Sequence, residues 1–363
     1  MIKTLVLCFL LTVCSLNAES GEDQSWAFRS LNSVKVPDVG DSKWVVNEID
    51  HFVIARARAK GVTPNGSVDR QSLIRRVYFD LTGLAPTRDE VVDFVESNSP
   101  DAYQSLIARL LASPHYGERW GRHWLDVARF GESHGYESDN ERPTAWTYRD
   151  AVIRAFNEGM PFDRFVRWQV AGDVLQADDP LATALTGFIT SGSTVTNVDG
   201  VDREKATYDK MDDIVSATGS AFLGLTIGCA RCHDHKYDPI SQEDYYRLVG
   251  FFLPGKAGDS NIAMGDSGSN VKALTWHGGN KKRNPLLKRG DVEKKEGDVG
   301  YGVLSVLNAA ENDMAGRIKA IGKQSGDGRT GLAQWLTDAD RGAGSLLARV
   351  IVNRLWQHHF GVG

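Results

Sequence analysis

The sequence predicts a mainly α protein: an irregular multi-helix domain with long glycine-rich loops, then a short helical C-terminal fragment. Apolar residues recur at three- and four-residue steps through much of the chain. Glycine is abundant, 37 of 363 residues, and proline is scarce at 11, which suggests helices joined by glycine-rich loops. Neither a β-hairpin signal nor an internal repeat stands out.

Residues 1–18 read as a signal peptide, with Lys3 as the positive end and Leu5 to Val13 as the apolar stretch. Cleavage is expected after Ala18, and an uncleaved anchor is the alternative. Val13 before Cys14 argues against lipidation. No later stretch is long and apolar enough to span a bilayer. The expected location is therefore outside the cytoplasm, periplasmic or at the cell surface. Residues 19–44 are polar and aperiodic, an extended lead-in.

The spacing predicts helices over 43–60, with Val45, Ile49, Phe52, Val53 and Ala57 inward, and over 70–81, ending at Gly83. Pro86 and Thr87 open a third, with Val91, Val92 and Val95 inward. Pro100 and Asp101 open a fourth, with Leu106, Ile107, Leu110 and Leu111 on one face. His115 to Phe130 gives a fifth, with Trp120, Trp124 and Val127 stacked. Residues 131–144 form a polar loop. Helical periodicity returns at 145–157, 162–171, 180–189, 203–223 and 242–252.

Composition changes at Gly255. Residues 255–302 are dense in Gly, Ser, Asn, Asp and Lys, and 255–330 reads as a linker or exposed insertion. Its Lys281-Lys282-Arg283 run reads as a solvated stretch. Further helices are expected over 303–324, 331–338 and 344–359. The length suggests two domains, and the net charge of −5 shows no basic excess that would mark a nucleic-acid partner.

Once residues 1–18 are removed, only Cys229 and Cys232 remain, two residues apart. One such pair is not a disulfide framework, so its position should be chemical. Cys229-Ala230-Arg231-Cys232-His233 matches the pattern of covalent haem c attachment. Thiols three residues apart on a helical turn reach the two vinyl groups of one haem, and His233 turns its ring onto the iron. The sixth-ligand candidates are Met264, then His277. Other readings remain open. Zinc or another divalent ion could use Cys229, Cys232, His233 and His235, with Asp234 or Asp238 suiting a harder ion. The pair could also form a disulfide or dithiol, or be structural without a cofactor.

Four pieces carry a family resemblance: RRVYFDLTGLAPT at 75–87, HYGERWGRHWLDVARF at 115–130, TYRD at 147–150 and GLTIGCARCHDHKYDPISQEDYY at 224–246. With these, residues 45–254 resemble the second of the planctomycete-type cytochrome-c-like domains of unknown function. The tail LLARVIVNRLWQHHFGVG at 346–363 resembles the opening of the partner domain that usually follows it. The resemblance implies a truncated start of that domain over 331–363, whose continuation would complete the fold. It supplies no reaction. Many relatives also carry a separate cytochrome c domain, which this sequence lacks.

His123 and Asp126, and Asp126 and Arg129, are three apart on one predicted helix and can touch. With His134 they could build an acid-base or metal site. The plainer reading is an ion-pair network that fixes helices around the 131–144 loop. His358 and His359 read as capping and interface residues. Asp266-Ser267-Gly268 is too common a combination to argue catalysis.

Two functional classes follow. One is an exported c-type-cytochrome-like protein, with haem as electron carrier for a redox partner or an extracellular substrate. The other is a metal-stabilised extracellular binding or scaffold domain, or a polysaccharide-associated hydrolase subunit.

Overall fold

The computed structural model describes residues 26–40, 42–136, 139–195, 198, 202–264, 269–279, 283–308 and 314–363. The expected signal peptide, the start of the lead-in, Lys281-Lys282 and Asp266-Ser267-Gly268 lie outside them. So do residues 309–313 of the helix expected over 303–324.

The chain is mainly α. α1 (Glu48–Ala59) starts at Asn47, whose side chain accepts the Ile49 and Asp50 N–H groups while Asp50 reaches back. Such reciprocal capping satisfies backbone donors that the first turn leaves open. α2 (Arg70–Leu81), α3 (Arg88–Glu96) and α4 (Ala102–Leu111) enclose a small core of Ile74, Val77, Tyr78, Phe94, Leu106 and Leu110. The inward faces of two helices differ from expectation. Ile54 is the buried residue of α1, while Ile49 and Phe52 are exposed. Phe94 is the buried residue of α3, while Val92 and Val95 are exposed. In α3 the larger Phe94 outcompetes the adjacent Val95 for the buried face.

α5 (Pro114–Val127) connects this small core to the main one, where Trp120 and Trp124 are buried one turn apart. The main core is built from α6 (Trp146–Asn157), α7 (Phe162–Leu175), α8 (Pro180–Leu185), α9 (Gly187–Thr190), α10 (Arg203–Thr218) and α11 (Gln242–Phe252). Inside it, Trp124 Nε1–H donates to the Tyr148 hydroxyl at 3.0 Å, and that hydroxyl donates to Gln169 Oε1 at 2.6 Å.

The region after Gly255 corrects the expectation that no hairpin is present. β1 (Lys256–Met264) and β2 (Ser269–His277) pair antiparallel, from Lys256 opposite His277 to Met264 opposite Ser269. Ile262, Ala273, Thr275 and Trp276 are buried, and Thr190 Oγ1 donates to the Leu274 carbonyl at 3.1 Å. Thr275 and Trp276 are neighbours, so the end of β2 is covered on both faces. A strand covered in this way lacks the clean alternation that makes a hairpin legible in sequence. A minimal pair, β3 (Leu286–Leu287) and β4 (Lys295–Glu296), follows.

α12 (Met314–Ser325), α13 (Arg329–Thr337) and α14 (Gly344–Phe360) close the fold. Fully buried Arg329 forks onto Asp173 of α7 at 3.1 and 2.9 Å, and it also bonds Asp327. Arg354 of α14 donates to the Ser220 and Ala221 carbonyls. The C-terminal helices are thus packed into the main core. No helix among the described residues is long and apolar enough to cross a membrane.

Candidate functional site

The C-x-x-C-H motif begins on a 3₁₀ turn, Ile227–Arg231, which Cys232 caps, after a π-turn at Gly219–Leu223. A 3₁₀ turn has three residues per turn, so side chains at i and i+3 eclipse. Ile227 and Ala230 are three apart and fully buried. Cys229 and Cys232 are also three apart, and both are exposed, unpaired thiols. Cys229 lies on the turn and Cys232 caps its end, so the two thiols stand at the motif's exposed surface. The apolar pair anchors its inner face.

Arg231 fixes the turn through its side chain and its carbonyl. Its guanidinium donates to Asp209 at 2.6 Å and stands 3.6 Å from Asp212. Burial opposes its charge, and Asp209, Tyr245 and Asp212 more than offset this, so its pKa is raised. Its carbonyl accepts Gln242 Nε2–H at 2.8 Å and the Tyr246 hydroxyl at 3.1 Å, both from α11. α11 begins with a capping box of Ser241 and Asp244. Buried Asp244 additionally accepts the Ser305 N–H and hydroxyl at 3.1 and 2.8 Å. The first turn of α11 is thereby a fixed support for the motif.

His233 is exposed, and its Nδ1–H donates to the Asp234 carbonyl at 2.7 Å. In the neutral ring this leaves the lone pair on Nε2. Asp234 Oδ1 accepts the Gln242 N–H at 2.8 Å. His235 differs from His233. Its side chain is buried, and Nδ1 accepts the Asp238 and Tyr237 N–H groups at 2.8 and 3.3 Å. Nε2–H then donates to Thr226 Oγ1 at 3.2 Å. Both nitrogens are occupied in bracing the 234–238 bend, and Asp238 Oδ2 stands 3.3 Å from Nδ1. Among the described residues, no three His, Cys, Asp or Glu side chains converge as a metal-holding group.

Met264 is at the far end of β1, half-buried against the main core. His277 ends β2, with Nε2 3.4 Å from Thr275 Oγ1 and 3.5 Å from Ser260 Oγ. Cys229 opens onto a cleft of about 570 Å³, lined also by Arg129, Asp212, Asp213, Ser216 and Thr226. Arg129 holds a left-handed backbone conformation, φ 52°. It forks onto Asp213 with two 2.8 Å bonds, rather than pairing with Asp126.

His123 and His134 have different partners. The His123 ring stacks on His358, with Trp120 edge-on to both. His134 Nδ1 accepts Arg142 Nε–H at 3.3 Å. The network around the loop is real in part, since Arg149 pairs with Glu132 and, at 3.0 Å, with Asp150. His359 Nδ1 bonds Asp80 Oδ2 at 2.6 Å. The two C-terminal histidines thus pack on α5 and α2. Beside them, an apolar cavity of about 260 Å³ is lined by Tyr116, Trp124, Phe156, Met160, Phe162 and Leu355, among others. Sequence reading missed this cavity because α14 supplies one wall from more than 200 positions away.

A family described as a protein of unknown function (DUF1549), whose model is named PSCyt2, matches residues 48–256. A second, a protein of unknown function (DUF1553), named PSD1, matches residues 328–363. No curated protein and no solved structure matches the chain. The first match spans more than half of the sequence and contains the C-x-x-C-H turn, and the chain belongs to the DUF1549 family.

Proposed function

We propose that this is an exported, c-type-cytochrome-like redox protein in which Cys229 and Cys232 hold haem c and His233 ligates its iron. The observation that carries the reading is the bond from His233 Nδ1–H to the Asp234 carbonyl. Metal-ligating histidines characteristically donate their second ring N–H to such an acceptor, which fixes ring and tautomer. Beside it stand two free, exposed thiols three residues apart. The donor chemistry fits the group. Haem, when bound, supplies one-electron transfer, to a redox partner or as relay in oxidising an extracellular substrate. The chain's own residues present the thiols, hold the proton at Nδ1, and lock the turn through Arg231 and Gln242. Residues 1–18 support export.

The test is the pyridine haemochrome spectrum of the denatured, purified chain, expressed with its N-terminal segment in a host that matures c-type cytochromes. A c-type signal that stays with the polypeptide and falls sharply in Cys232→Ser supports the reading. No haem, or full haem content in Cys232→Ser, overturns it. The same free, exposed thiols favour one competing reading, a dithiol element. A colourless protein whose thiols label only after reduction selects it.

A further inference from the structure

The apolar cavity bounded by α5, α7 and α14 holds about 260 Å³. Protein interiors leave few voids larger than a water molecule. α5 supplies Trp120 and Trp124, α7 supplies Phe162 and Phe165, and α14 supplies Ile351 and Leu355. The lining rings fall into two contact groups. Trp124 meets Phe165 edge-on with centroids 4.9 Å apart, and Phe162 at 6.4 Å. Trp120 meets His123 at 5.4 Å and His358 at 5.9 Å, again edge-on. A flat aromatic ligand would extend this packing, because edge-to-face ring contacts are favoured beyond the area they bury. The size agrees. An apolar cavity of about 150 Å³ takes benzene, so this one has room for two fused rings.

One lining residue carries a full charge. Arg354 is half-buried in the cavity wall, and it gives N–H groups to the Ser220 and Ala221 carbonyls. Among the described residues no carboxylate pairs with it, and no Asp or Glu lines the cavity. Burial lowers its pKa. His123 adds no competing charge at neutral pH, because burial first, and then His358 and Arg119, hold its pKa down at about 4. A partly desolvated cation in an apolar wall calls for an anion. We propose that the cavity binds a small aromatic carboxylate, with its rings among the apolar side chains and its carboxylate on Arg354. A guanidinium has N–H groups to spare beyond those two carbonyls. The walls come from both family segments, so neither segment alone forms the site. Val127 lines this cavity and also the cleft at Cys229, which puts a bound ring one side chain away from that cleft. The proposal concerns binding alone and holds with or without haem at Cys229 and Cys232.

The test is titration calorimetry of the full chain at neutral pH with three probes of one shape: 2-naphthoate, its uncharged amide, and the saturated decahydronaphthalene-2-carboxylate. The naphthoate should bind more tightly than the amide by on the order of tenfold, the worth of one charged hydrogen bond. It should also bind more tightly than the saturated acid. Arg354→Met should bring naphthoate and amide to equal affinity. Leu355→Trp, at a position 41% exposed on the cavity wall, should fill the space and abolish binding while Arg354 stays in place. Failure of the wild-type chain to bind naphthoate overturns the proposal, and so does equal binding of acid and amide. Equal binding of the saturated acid overturns the aromatic assignment. Unchanged binding in Leu355→Trp overturns the location. If Arg354→Met does not fold, the wild-type comparison and Leu355→Trp decide the question.

Discussion

The imidazole rings of His123 and His358 stack with centroids 3.8 Å apart, joining α5 to the C-terminal helix. Burial pushes the His123 pKa down to about 4, and His358 and Arg119 add to this against the pull of Asp126. The His358 pKa is lowered too, by burial and then by Arg119 and His359. A base whose folded pKa is depressed contributes stability that is present above its unfolded pKa. That stability is lost as pH falls toward the folded value. The joint should therefore weaken between pH 6.5 and about 4. His123→Phe keeps a ring in the stack and removes one titration. Its urea midpoint should fall less across that window than the wild-type midpoint, measured at both ends.

Arg329→Ala should cost about 3–5 kcal/mol, because it leaves Asp173 and Asp327 facing each other without their shared cation. Equilibrium urea unfolding measures this as a lower midpoint with an unchanged slope. A loss under about 1 kcal/mol would show that solvent replaces the guanidinium, as at a surface pair.

Gln242→Ala removes the amide that donates to both the Arg231 and Leu287 carbonyls. Stability should fall by about 1–2 kcal/mol. The distinctive readout is local. Amide exchange over 229–233 should quicken while that of α7 stays unchanged, which separates a loosened turn from general destabilisation.

Gly290 has φ +73°, and a Cβ there would lie 3.0 Å from Cys232 Sγ. Gly290→Ala should cost about 1–2 kcal/mol for the left-handed backbone, and the methyl should push on Cys232 while leaving Cys229 alone. Thiol labelling rates measured for each cysteine should change for Cys232 only.

What was legible in the sequence was local. α2 and α11 run over the expected residues because Asp69 and Ser241 cap them. The C-x-x-C-H turn was legible because its cysteines stand alone in the described chain. What was not legible was made by closure in space. Arg129 and Asp213 come from the end of α5 and from α10, 84 residues apart, so no spacing announces their pairing. His358 gives no sign in sequence that its partner is His123. The hairpin was hidden because Trp276 and Thr275 are buried by different neighbours.

Asp173 and Arg329 are 156 residues apart in sequence, and each belongs to the segment matched by a different family. During synthesis the carboxylate emerges long before its guanidinium. Until the later segment arrives, the earlier one holds an unfinished interior at α7. Contacts of such long sequence separation slow folding, since the loop between them must close first. The two family segments therefore finish folding together, although the first is made well before the second. A chain that lost the second segment would leave Asp173 without the cation that closes its interior.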